Sequence, residues 1–128
     1  MDPKKKILII DDNKGILFAL EQALKAGGYD VSAWDSFKGM DPIRALDPDL
    51  ILLDVFLVGA DGRAVAQEIK SNAGTKNIPV IMITAYPNGN ALMREAKADD
   101  CLAKPFDLKE LYEKAARYTS GPMSAAVA

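Results

Sequence analysis

Short unbroken apolar runs alternate along the chain with segments patterned at helical spacing. Ile7-Leu8-Ile9-Ile10 is the first run, and Val31 to Trp34 is a weaker second. Leu50-Ile51-Leu52-Leu53 and Val80-Ile81-Met82-Ile83 are the strongest, and Cys101-Leu102-Ala103 is short. The strong runs are continuous, which predicts strands covered on both faces, as in a parallel sheet. Between them, Leu17, Leu20 and Leu24 make one helical stripe and Ile16, Ala19 and Ala23 a second, before Gly27-Gly28 ends the helix. Asp41-Pro42 reads as an N-cap and first-turn proline opening a short helix that runs to Leu46. Val65, Ala66 and Ile69 mark a third helix. Ala91, Leu92 and Ala96 mark a fourth, poor in large apolar residues. Asp107, with Glu110 after it, caps a fifth that carries Leu108, Leu111, Tyr112 and Ala115.

The repeated β-α order predicts an α/β fold: a doubly wound, five-stranded parallel sheet with helices on both faces and right-handed crossovers. Residues 1–119 are expected to form one domain, and residues 120–128 a flexible tail or the start of a linker. Composition supports a packed globule, with 49% hydrophobic and 27% charged residues. A net charge of −2 leaves no basic footprint, so direct nucleic-acid binding is not expected. No apolar run is long enough to span a membrane. The apolar stretch after the N-terminal lysines, Ile7 to Ile10, is too short for a secretion signal, so a cytoplasmic location is expected. The chain has one cysteine, Cys101, and no histidine. That excludes a Ser-His-Asp triad, a thiol-histidine pair and a His/Cys zinc site.

The remaining chemistry gathers at strand ends, where open α/β sheets bind ligands. Asp11 and Asp12 end the first predicted strand, Asp54 the third, Thr84 the fourth and Lys104 the fifth. Carboxylates crowded together cannot all stay ionised without a cation. Lys104 supplies one positive charge, and a hard divalent metal, Mg²⁺ or Mn²⁺, supplies the rest. A phosphoryl group arriving there meets positive charge on two sides while a carboxylate attacks phosphorus. Asp54, on the central strand, is the natural nucleophile, and Thr84 a donor to the new phosphate. A single Asp at a strand end is usually a cap or turn residue. The set, in this order, is much more specific.

At these residues the chain resembles the receiver domain of two-component response regulators, over roughly residues 5 to 119. The matching segments are Ile7 to Asn13, Pro48 to Asp54, Asp61-Gly62, Ile78 to Ala85 and Lys104-Pro105-Phe106. The resemblance implies a flavodoxin-like strand order, 2-1-3-4-5, and a signalling switch in place of an enzyme. It implies that Asp54 is the phosphoacceptor and that Asp12 ligates Mg²⁺ directly. Asp11 would act mostly through water, and the backbone carbonyl of Phe56 would complete the set. Thr84 and Lys104 would hold the phosphate, and the bond before Pro105 would be cis. The implied donor is a phosphohistidine on a sensor histidine kinase or histidine phosphotransfer protein. A monomer is expected, or a weak dimer through the face of the fourth helix, fifth strand and fifth helix.

The chain departs from the family pattern at several positions. Cys101 replaces the usual aromatic, whose ring moves with the Thr; here the switch is expected to rely on Thr84, Tyr86 and the loop before the fourth helix. Partner affinity and phosphorylation response unchanged by Cys101→Tyr would agree with that. Leu57-Val58 replaces the usual Met-Pro, and Lys97 a glycine that ends the fourth helix. Phe56 and Tyr86 border the family's water path without an acid or amide to orient water, so slow loss of the phosphoryl group is expected. The stripe of Ile16, Ala19 and Ala23, with Pro105 and Phe106, is a candidate docking surface or ordinary packing. An aspartate-nucleophile phosphohydrolase would need an Asp where Phe56 stands. A flavin module would meet repulsion at Asp11-Asp12. The remaining alternative is a degenerate receiver that acts as a phosphorylation-independent protein-binding module.

Overall fold

Each of the five apolar runs forms a strand of one sheet. The structure is a computed structural model and describes residues 4–85, 91, 94 and 96–119. Strand β1 (Lys6–Ile10) leads through helix α1 (Lys14–Ala26) to β2 (Asp30–Trp34), then through α2 (Met40–Leu46) to β3 (Leu50–Asp54). A small hairpin follows, made of β4 (Phe56–Leu57) and β5 (Ala60–Asp61). Helix α3 (Gly62–Ser71), β6 (Val80–Thr84), β7 (Asp100–Ala103) and α4 (Leu108–Thr119) complete the order. The main sheet is parallel and runs β2-β1-β3-β6-β7, which is the expected 2-1-3-4-5 order once the hairpin is set aside.

The continuous apolar runs are explained by two cores. Leu8, Ile10, Ile51, Leu53, Val80 and Met82 face α2 and α3. Ile7, Ile9, Leu50, Leu52, Ile81 and Ile83 face α1 and α4. Successive side chains of one strand alternate between these faces, and both faces are dry, so every position is apolar. The Leu17, Leu20 and Leu24 stripe is the buried face of α1. In the second stripe, Ile16 and Ala23 pack partly against the same core while Ala19 is exposed.

The second helix differs from expectation. It starts at Met40, after Gly39, and Asp41 is not its cap. The Asp41 carboxylate instead pairs with Arg44 one turn on, and Met40 is buried in the core. The turn at Gly59 joins β4 and β5 as an antiparallel hairpin. Asp107 caps α4 as expected, accepting from the Lys109 N–H at 3.0 Å. Most of the expected fourth helix, including Leu92, lies outside the described residues, as do Tyr86 and the tail 120–128. Among the described residues, no helix is long and apolar enough to cross a membrane.

Candidate functional site

Parallel strands deliver their carboxyl ends to one edge. Asp11 follows β1 directly and extends its pairing, its N–H donating to the Trp34 carbonyl at 3.1 Å. Asp54 closes β3 and is paired in register with Ile83. Thr84, the next residue on β6, is buried. Lys104 follows β7, and its N–H donates to the Thr84 carbonyl at 2.9 Å. The four strand ends therefore bring together Asp11, Asp12, Asp54, Thr84 and Lys104, the residues singled out from the sequence.

The acids converge closely. Asp11, Asp12 and Asp54 each offer an oxygen, all within 4.8 Å of one another. The Lys104 ammonium lies 3.0 Å from Asp11 Oδ2 and 3.5 Å from Asp54 Oδ1. Asp11 is fully buried and Asp54 nearly so. Burial, and then the charge of Asp11, push the Asp54 carboxyl up to about 6. Lys104 and the Phe56 N–H pull the other way and only partly offset this. One ammonium is thus too little positive charge for the site. Asp11 Oδ2, buried and facing that ammonium, accepts no hydrogen bond among the described residues. Three hard oxygen donors with a charge deficit fit a divalent cation such as Mg²⁺.

Backbone amides hold each acid. The Asn13 N–H donates to Asp11 Oδ1 at 2.9 Å, while the Asn13 side chain caps α1. The Val58 N–H donates to Asp12 Oδ2 at 3.2 Å. The Phe56 N–H serves Asp54. Gly62 sets how closely α3 approaches the site. A Cβ there would stand 2.1 Å from the Asp54 carbonyl oxygen and 2.7 Å from that of Val55, so only glycine fits. The sequence marks Gly62 as part of a motif but does not show this contact, and it gives no sign of the Asn13 and Val58 amides.

The other expected residues scatter around this centre. The Lys104–Pro105 peptide is cis. Phe56 is 51% exposed at the rim. Cys101 is half-buried on β7 against the α2–α3 core. Burial, and next the charge of Asp100, raise its thiol pKa, which disfavours the reactive thiolate. Phe18 on α1, which the stripes did not single out, is 62% exposed.

Known proteins share this fold. The chain is similar to a protein of Chloroflexus aurantiacus J-10-fl described as a response regulator, with 30% identity and a TM-score of 0.86 over 92% of this chain and 99% of that one. It is also similar to a CheY-like response regulator receiver domain protein from Methanospirillum hungatei JF-1, with 26% identity and a TM-score of 0.82 over 92% and 95%. The N-terminal signal receiver domain of a two-component system response regulator from Bacteroides fragilis matches at 30% identity and a TM-score of 0.79, over 91% and 98%. The family model of the response regulator receiver domain matches residues 7–116, and the chain belongs to that family of two-component signalling switches.

Proposed function

We propose that Asp54 accepts a phosphoryl group from a phosphohistidine on a partner kinase or phosphotransfer protein, in a reaction that depends on Mg²⁺ or Mn²⁺. One observation carries this reading. Asp54 sits at the end of the central strand with Lys104 on one side and Asp11 and Asp12 on the other. An Asp54 oxygen forms the new O–P bond as the P–N bond to the donor imidazole breaks, and that electron pair returns to the imidazole nitrogen. Asp11, Asp12, Asp54 and the Phe56 carbonyl would hold the divalent cation, which supplies positive charge for the phosphoryl oxygens. Lys104 neutralises a second oxygen, and the Thr84 hydroxyl donates to a third. Closing Thr84 onto the phosphate shifts the end of β6, and that shift is the signal.

The test is intact-protein mass spectrometry after incubation with a small phosphodonor. Wild type gains one phosphoryl group with Mg²⁺, and neither the metal-free protein nor Asp54→Ala does. Phe56 stands at the rim with no acid or amide to orient water, so the acyl phosphate decays slowly, and Phe56→Asn shortens its life. An adduct that persists on Asp54→Ala overturns the assignment. A wild-type protein that binds Mg²⁺ but stays unmodified by both small donors and phosphohistidine proteins is a phosphorylation-independent binding module.

A further inference from the structure

Among the bonds that fix the acids, one stands apart. The Asn13 and Phe56 amides each lie two residues from the acid they serve, so any local turn supplies them. The Val58 N–H reaches Asp12 across 46 residues of sequence. It ties the β4–β5 hairpin to the loop after β1, and nothing in the Val58 side chain is needed for this, since Val58 is 83% exposed. The hairpin presents that amide through its turn. Leu57 pairs with Ala60, leaving Val58 and Gly59 as the two central residues, and Gly59 takes φ 79°. A glycine at positive φ in the second central place matches a type II turn.

We propose that the Val58 backbone N–H is a positioning group for cation binding, holding the Asp12 carboxylate in the orientation the site uses. The inference rests on the proposed cation reading above. With this bond in place the three acids already converge within 4.8 Å, so it is compatible with a shared ion. Asp12 is also the least buried of the three, and so the one most free to turn toward water without such a tie. Outer hydrogen bonds that orient metal ligands typically carry 10–100-fold in affinity. A bond of 3.2 Å at an exposed rim belongs at the low end of that range, about tenfold.

The turn itself provides a clean variant. Proline is favoured at the first central position of a type II turn, and the residue before it is favoured in an extended conformation. Leu57 is extended in β4. Val58→Pro, which restores the proline usual in the family, therefore keeps the hairpin and deletes the one N–H that Asp12 accepts among the described residues. Mg²⁺ alone is titrated into ¹⁵N-labelled protein, following amide shifts of Asp11, Asp12 and Val55, with Val58→Ala as the conservative variant that keeps the N–H. Val58→Pro is expected to bind Mg²⁺ about tenfold more weakly, while Val58→Ala recovers wild-type affinity. Equal affinity in wild type and Val58→Pro overturns the inference and leaves the cation site standing. Equal weakening by both variants overturns it too, because the side chain would then be the cause. No saturable shift in wild type overturns the cation reading itself.

Discussion

At position 97 the backbone holds a lysine at φ 62°, a conformation that suits glycine. The side chain is exposed, so nothing in the core requires lysine there. The left-handed region costs a residue with a Cβ roughly 1–2 kcal/mol, and glycine gives back part of that gain through its freer unfolded chain. Lys97→Gly is therefore expected to stabilise the protein by about 0.5–1 kcal/mol, read as a higher urea midpoint at unchanged slope. A lower midpoint would show that the strain is relieved some other way. Asp47 is a useful contrast. It too has positive φ, 51°, but it caps α2 and is a residue type that tolerates this region. Family likeness exposes the strain at Lys97 from the sequence alone. The Val58 amide has no such sign, because a backbone donor is present at every non-proline position. The close approach at Gly62 is hidden for another reason: the atoms it would strike belong to Asp54 and Val55, on a different element.

Elements were legible wherever burial on both sides left a run of apolar residues, as in β1, β3 and β6, each wholly or nearly wholly buried. They were less legible where a tertiary contact outweighs a local signal. Asp41-Pro42 has the composition of a helix start, yet the burial of Met40 and the pairing of Asp41 with Arg44 move the start back. The join of β7 to α4 also lies beyond sequence patterning. Asp100 accepts from Lys114 at 2.7 Å and from the Tyr118 hydroxyl at 3.0 Å, with Arg117 at 3.6 Å. Burial alone would raise the Asp100 carboxyl, but Lys114, the Cys101 N–H and the Tyr118 hydroxyl outweigh it and hold it below the usual range. The sign follows from linkage. A depressed carboxyl contributes stability above its unfolded pKa near 4 and loses it as pH falls through the folded value. Wild type should therefore lose more stability than Asp100→Asn between pH 5 and about 3, followed by thermal midpoints. Parallel curves would mean the cluster adds nothing to the join.

For the whole molecule, topology turns weak local signals into a site. Asp11, Asp12, Asp54, Thr84 and Lys104 are ordinary residues at the ends of separate strands, and only parallel pairing in the order β2-β1-β3-β6-β7 makes them neighbours. That is why the site was readable once the strands were, and why the amides that trim it were not. The same convergence carries a cost to the fold. Without a cation, Asp54 is buried beside Asp11, and its carboxyl sits near 6 against an ordinary value of 3.8. A carboxyl raised in the folded state destabilises the fold where it must ionise, and the penalty fades as pH falls through the folded value. In chelator at pH 7.5, Asp54→Asn should thus be more stable than wild type by about 1–2 kcal/mol, less than the full shift implies because Lys104 loses a partner. At pH 5 the wild-type carboxyl is largely protonated, so the gap should shrink. Saturating Mg²⁺ should narrow it at pH 7.5 as well, since a bound cation favours the ionised form and stabilises only the protein that keeps all three acids. A gap unmoved by either pH or Mg²⁺ would place its origin in packing. A gap that closes under both would show that the fold carries its acids at a cost which the cation relieves.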